Sequence, residues 1–279
     1  LDVVVAVHHA SAQCLDPLAD RLGRRPFTVA CLTDYSIHAN WIADADLYLV
    51  ASDTAYERLT RLGKRVEKLQ ILPCQAPDKV RLKTIDEEYG TIKIVMMMGL
   101  EGTSRRKAQR LIGKLLELPV GKRVQIDVIC GRNQRLQERF ENDYQECPEV
   151  TIHGYVDDVP ERLKRANLAL MRLGCVSMTE ALAAGTPVIG FDWHAHEAEC
   201  LEKLHEIGAG TGSLNPAEAA SLVEGFLRNA SLRRRWYTQA FKASQSESSS
   251  AAAARLILEN LRRPASDRSS TSDRSSGVS

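Results

Sequence analysis

Residues 172–189 read Arg172-Leu173-Gly174-Cys175-Val176-Ser177-Met178-Thr179-Glu180-Ala181-Leu182-Ala183-Ala184-Gly185-Thr186-Pro187-Val188-Ile189. The apolar run Leu168–Met171 leads into this stretch as a strand, and Gly174 makes the turn. Thr179–Ala184 has helical composition, Gly185 stops the helix, and Pro187 opens a second strand that runs through Phe191. Strand, helix and strand in so short a span predict a βαβ unit, whose strands lie parallel.

The same alternation extends in both directions. Upstream in this half, strands are expected at Ile92–Met98, Arg123–Cys130 and Val150–His153. Helices between them are expected at Ser104–Leu116, Arg135–Tyr144 and Pro160–Ala166. Nearer the start, strands are expected at Val3–Val7, Phe27–Leu32, Leu47–Ala51 and Leu69–Leu72, with helices at Ala12–Leu22 and Thr54–Leu62. The fold class is therefore α/β, with two Rossmann-like domains whose sheets face a cleft. Residues 1–77 form the first domain, 78–91 a polar linker, 92–245 the second domain, 246–263 a C-terminal helix and 264–279 a disordered tail. The tail is rich in Ser, Arg and Asp and has too little apolar surface to offset its ordering entropy. The run Leu1–Val7 already reads as a buried strand, so the first domain is expected to be incomplete, with sequence upstream of Leu1.

The bulk numbers agree. A chain of 279 residues is long enough for two such domains. Hydrophobic residues make up 44 % and aromatics 5 %, which suits aliphatic parallel sheets under Ala- and Leu-rich helices. A formal net charge of +1 gives no electrostatic footprint for nucleic acid. The seven cysteines contain no CxxC pair, which predicts a reducing cytoplasm and no structural zinc. No apolar run approaches the length of a membrane span.

Ligands of open α/β sheets bind beyond the carboxyl ends of the strands, so five loops carry the functional candidates. Gly99, Gly102, Thr103 and Ser104 enter a helix and either cradle a phosphate on its N–H groups or form an ordinary turn, with Arg105, Arg106, Lys107 and Arg110 as a solvated face. Cys130-Gly131-Arg132-Asn133 is on its own an unremarkable turn. Gly154-Tyr155-Val156 could present backbone to a planar base edge, while Asp157 or Asp158 caps the next helix with Pro160 in its first turn. Glu180 either complements a helix dipole or accepts two ribose hydroxyls. His194, His196 and Glu197 invite a metal, but a lone HxH is a poor zinc set, and sugar-hydroxyl recognition is preferred. In the first domain His8 and His9 end a strand. Asp34, His38 and Trp41 are either a cap and one packed helix face, or cleft residues.

Taken together, these residues resemble the GT-B glycosyltransferases of the monogalactosyldiacylglycerol synthase, processive diacylglycerol glucosyltransferase and MurG-like group. That group carries C-G-x-N, a G-Y turn, G-G-x-T-x-x-E-A and Q-E-x-x-N. This chain reads Cys130-Gly131-Arg132-Asn133, then Gly154-Tyr155, then Gly174 to Ala181, then His196-Glu197-Ala198-Glu199-Cys200. Thr33-Asp34-Tyr35-Ser36-Ile37-His38-Ala39-Asn40-Trp41 is similar to the T-D-x-x-x-H-x-x-W segment of the lipid enzymes. The resemblance spans roughly residues 1–262. It implies a UDP-sugar donor with the ribose on Glu180 and the uracil at Gly154–Val156. It puts the diphosphate at Gly174, Cys175, Val176 and Ser177, with His196 and Glu197 facing the sugar, and gives Gly131 and Asn133 to the same donor site, to which the phosphate reading of the first loop adds Gly99, Gly102, Thr103 and Ser104. The chain departs from the pattern at Cys175, which replaces the second Gly and could crowd a phosphate, and at His196 and Cys200. It also lacks the group's N-terminal Gly-rich loop.

The implied reaction is inverting transfer of a hexose to a lipid-type hydroxyl, without metal or other cofactor. His8, His9 and Asp34 are the candidate bases, and His38 and Trp41 lie on the acceptor side. The resemblance further implies a cytoplasmic protein in peripheral contact with the inner membrane face. Two other readings stay open: a non-catalytic or split UDP-sugar-binding subunit, and a UDP-sugar 2-epimerase.

Overall fold

A computed structural model describes residues 2–15, 17, 21, 25–72, 74, 77–83, 91–98, 105–118, 123–194, 197–245 and 249–262. The chain forms two compact units. One holds Leu1–Cys74 together with Glu247–Ser279, and the other holds Gln75–Ser246. The C-terminal helix Ser249–Arg262 therefore belongs with the first unit, where it packs against β3 (Leu47–Val50).

The first unit is a four-stranded parallel sheet in the order β1 (Val3–Ala6), β2 (Phe27–Cys31), β3, β4 (Val66–Lys68). Every residue of β2 and β3 is buried, as expected of strands covered on both faces. Leu69–Leu72 is not a strand. Leu69, Ile71 and Leu72 are buried, but the ladder is made by the half-exposed Val66-Glu67-Lys68. An edge strand needs no apolar run, so its pattern was hidden by the greasier segment beside it. The first helix opens at His9 and runs to Ala12; several residues of the expected span 12–22 lie outside the described set.

The second unit is a six-stranded parallel sheet in the order β10-β9-β8-β5-β6-β7. Its strands are β5 (Thr91–Met97), β6 (Arg123–Ile129), β7 (Val150–His153), β8 (Leu168–Arg172), β9 (Val188–Asp192) and β10 (Gly210–Gly212). The chain builds outward from β5 to β7, then returns to the other side of β5 with β8. The carboxyl end between β5 and β8 is thus the point where strand order reverses, and such sheets hold ligands there. Strand β10 was not expected from sequence; it is a short edge of Gly-Thr-Gly.

Local chemistry explains the elements. The helix Arg105–Leu116 buries Ala108, Leu111, Ile112 and Leu115, one stripe at helical spacing. Gly185, at φ +67°, ends the helix Cys175–Ala183, with Gly185 N donating to Leu182 O at 2.9 Å and Thr186 N to Ala181 O at 2.9 Å. Phe226 stacks on Trp236 at 5.4 Å and meets Tyr237 edge-on at 5.6 Å, joining the helices Pro216–Arg228 and Ala230–Gln245 to the core. Part of the expected linker is docked on the second unit. Lys83 Nζ donates to the carbonyls of Leu163, at 3.0 Å, and Lys164, at 2.8 Å, at the end of the helix Val159–Arg165. Residues 84–90 lie outside the described set.

Candidate functional site

A cavity of about 700 Å³ opens at the reversal point of the second sheet. Its floor is apolar, from Met97 and Met98 at the end of β5 and Ile129 at the end of β6. Gly131 and Arg132 form one lip, and Tyr155, Val156 and Asp157 with Val159 and Pro160 form a second. Ser177 and Glu180 project from the first turns of the helix Cys175–Ala183.

The β6 lip is built by a tight turn. Gly131 sits at φ +58°, in the left-handed region where a side chain is strained. Beyond it Asn133 Oδ1 accepts from Leu136 N at 3.1 Å and caps the helix Gln134–Tyr144. Replacing Asn133 with Ala should cost about 1 kcal/mol of stability, the ordinary worth of such a cap, measurable by urea unfolding. Asn133 is thus already engaged in holding the turn. Cys130 N donates to His153 O at 2.8 Å, which extends the β6–β7 ladder to the mouth of the cavity.

On the second lip Tyr155 is 62 % exposed, and the Arg132 guanidinium lies 5.0 Å from its ring centroid. An exposed ring held by a cation offers a flat, half-apolar surface. Asp158 stands at the N-cap of the helix Val159–Arg165 and makes no side-chain cap bond. Its carboxylate instead accepts from Arg162 Nε at 2.6 Å, and that hydrogen bond holds its pKa below the ordinary value.

Glu180 is half-buried, and burial raises its carboxyl above the usual range. A carboxylate in that condition gains most from partners that donate hydrogen bonds to its charged form. The helix that carries it begins at Gly174, which has no side chain to cap it and would leave a Cβ in open space. Val176 is 58 % exposed beside it. A helix N-terminus without a side-chain cap favours negative charge.

Of the donor candidates, Gly131, Tyr155, Val156, Ser177 and Glu180 share the cavity wall. Gly154 adjoins it, with the Gln137 amide occupying the space where its Cβ would lie. Cys175 Sγ is 3.0 Å from Cys200 Sγ. Glu197 is engaged in the interior. It accepts from Arg172 Nε at 3.0 Å and from His194 N at 2.7 Å, and both side chains of the ion pair are 11 % exposed. Gly99, Gly102, Thr103, Ser104 and His196 lie outside the described residues. Sequence reasoning missed the apolar floor, because Met97, Met98 and Ile129 look like any strand end. It also missed Arg132, whose position directly after Gly131 was the available signal.

In the first unit the ring centroids of His8 and His9 are 4.1 Å apart, and those of His9 and His38 are 4.9 Å apart, edge to face. Trp41 is fully buried, 6.2 Å from the His9 ring. His38 and Trp41 are not one packed helix face. His38 is exposed before a single 3-10 turn, Ala39–Trp41. Gln13 Nε2 ties this loop down through Asn40 O at 2.9 Å and Ile42 O at 3.0 Å. The pKa of His9 is lowered, first by burial and then by His8 and His38, with Asp34 opposing. Among the described residues, no group of three or more His, Cys, Asp or Glu could hold a metal ion.

Residues 104–243 match the family described as "Glycosyl transferases group 1". The chain is 28 % identical over 173 residues to "Processive diacylglycerol beta-glucosyltransferase" of Bacillus pumilus, covering 58 % of this chain and 44 % of that protein. It is 31 % identical over 196 residues to "Probable monogalactosyldiacylglycerol synthase 2, chloroplastic" of Oryza sativa subsp. japonica, covering 66 % and 41 %. It therefore spans somewhat under half the length of these curated relatives. Among solved structures, Acinetobacter baumannii MurG aligns with a TM-score of 0.68 at 19 % identity, covering 93 % of this chain and 73 % of that one. That likeness shows the fold: two parallel α/β units of GT-B type.

Proposed function

The chain belongs to the group 1 glycosyl transferases, and from that premise we propose that it moves a hexose from a UDP-sugar to the hydroxyl of a diacylglycerol-like lipid. The observation that carries the donor half is the half-buried Glu180 in a cavity at the strand reversal, opposite an exposed tyrosine turn. Ribose hydroxyls donate to Glu180. The uracil lies along Tyr155 and Val156. The diphosphate meets the backbone N–H groups at the start of the helix Cys175–Ala183.

These roles make a reaction. The acceptor hydroxyl attacks C1 of the sugar from the face opposite UDP, so the configuration inverts. Negative charge builds on the departing diphosphate, and dipoles fixed in advance lower that barrier. A base removes the hydroxyl proton. His9 fits this role within the first unit, because a histidine held below its ordinary pKa is neutral near pH 7 and can accept a proton. The lipid acceptor is supported by the names of the curated relatives. No helix among the described residues is long and apolar enough to cross a membrane, so the reading calls for peripheral contact with the lipid surface.

The direct test incubates the full chain with diacylglycerol-containing anionic vesicles and UDP-glucose or UDP-galactose, and looks for glycosylated lipid by mass spectrometry. One donor should yield a hexosyl lipid and free UDP. UDP binding without product from any hexose donor would instead favour a non-catalytic donor-binding subunit.

A further inference from the structure

Cys175 and Cys200 are 25 residues apart in the sequence, and the structure brings them together with their Sγ atoms 3.0 Å apart. Cys175 is the first residue of the helix Cys175–Ala183 and half-buried. Cys200 lies in the helix Ala198–Ile207 and is 1 % exposed. Cys200 is as buried as Cys31 and Cys130; what its setting adds is the Cys175 sulfur 3.0 Å away, placed for an intramolecular step.

We infer that Cys175 and Cys200 form a reversible redox pair, oxidised by low-molecular-weight disulfides of the glutathione type, at the start of the helix that carries Ser177 and Glu180 into the cavity. The half-buried Cys175 is the thiol that such an oxidant reaches. Its thiolate attacks one sulfur of the external disulfide, forming a mixed disulfide and expelling one thiolate. The Cys200 thiolate then attacks Cys175 Sγ, forming the Cys175–Cys200 bond and expelling the second small thiolate. Two electrons pass from the pair to the external disulfide, and the two protons given up by the cysteines go to the two released thiolates. Bond formation requires the sulfurs to close from 3.0 Å to about 2.0 Å.

That closure falls on the first residue of the helix whose N-terminus meets the diphosphate. N–H donors displaced from their fixed positions bind an anion less well, so oxidation weakens UDP binding. This consequence rests on the donor-site reading above, whereas formation of the disulfide does not.

Trypsin leaves both cysteines in one peptide, Leu173–Lys203. The folded full chain is equilibrated with oxidised and reduced glutathione, quenched, alkylated and digested. In oxidising buffer this peptide should lose both alkylation sites and weigh about 2 Da less than its reduced form, the loss of two hydrogens; reductant should reverse it. Cys200→Ala should stop the reaction at a Cys175–glutathione adduct, and Cys175→Ser should leave Cys200 unmodified. Continued alkylation of both cysteines in oxidising buffer, or pairing of Cys175 with another cysteine, would overturn the pair. UDP titrations should show affinity falling several-fold on oxidation of the wild type, and the same affinity in oxidising and reducing buffer for Cys175→Ser, which has no thiol for the oxidant to reach. Unchanged UDP affinity in a fully oxidised chain would overturn the regulatory consequence. Failure of UDP to bind either redox state overturns the donor-site reading, while the pair itself is judged on the peptide masses.

Discussion

Glu180→Ala should weaken UDP binding roughly 100-fold, or about 3 kcal/mol, the worth of two hydroxyl hydrogen bonds to a charged carboxylate less the water that replaces it. Uridine, which keeps the ribose, should lose a similar factor, whereas pyrophosphate should lose little. Glu180→Gln keeps the shape but gives up the charge, and should fall between. The pH dependence has a definite sign. Burial raises the Glu180 carboxyl in the ligand-free protein, and the ribose hydroxyls prefer its ionised form. Binding therefore releases a proton, and UDP affinity should rise as pH climbs through the raised pKa and weaken as pH falls below it. For folding without ligand the sign is opposite. A raised folded-state pKa contributes stability below the ordinary carboxylate range, and that contribution is lost as pH rises through the folded value. Calorimetric titration with uridine, which has no phosphate to titrate, across pH 4.5–7.5 (a range of about three units around carboxylate titration) should show the slope in wild type and a flat profile in Glu180→Gln.

Breaking the Arg172–Glu197 pair should cost about 3–5 kcal/mol of stability, because either single truncation takes the opposite charge away from a largely buried one. The pair spans 3.0 Å with both side chains 11 % exposed, so solvent does little to screen it. Glu197→Ala also removes the acceptor of His194 N, bonded at 2.7 Å. The double replacement Arg172→Met with Glu197→Leu should recover most of the loss, since no charge then remains buried. Urea unfolding followed by tryptophan fluorescence measures all three. If Glu197→Ala leaves the unfolding midpoint unchanged and abolishes sugar transfer instead, Glu197 works on the substrate and not in the interior.

Glu197 marks the limit of what could be read from the letters. Its place after His196 in a family-like segment pointed to the sugar, but nothing in that spacing says that Arg172, at the end of β8, turns toward it. Long-range ion pairs leave no local periodicity. The alternation of the second half was legible because parallel strands are buried on both faces and therefore apolar throughout, as in Leu168-Ala169-Leu170-Met171. Edge strands escape that rule: the half-exposed Val66-Glu67-Lys68 and the tiny Gly-Thr-Gly of β10 were not seen. Glu180 and Tyr155 were singled out by chemistry, as residues that make sense beside a nucleotide, and both line one cavity. The apolar floor was not, because Met97 and Met98 continue a strand like any core pair. The contact between Cys175 and Cys200 was out of reach for a similar reason: each could be read only as a separate departure until the fold brought them together.

The most direct test of the central claim, that the cavity at the strand reversal takes a uridine diphosphate, is a thermal shift of the full chain with UDP, ADP and GDP. A ligand that binds only the folded state raises the melting point by mass action, and at roughly one hundred times Kd the rise for a chain of this size is about 5 °C. UDP should give that rise, ADP and GDP little, and Glu180→Ala should lose it. Equal shifts from all three nucleotides, or no shift of a well-folded chain by UDP, would contradict it.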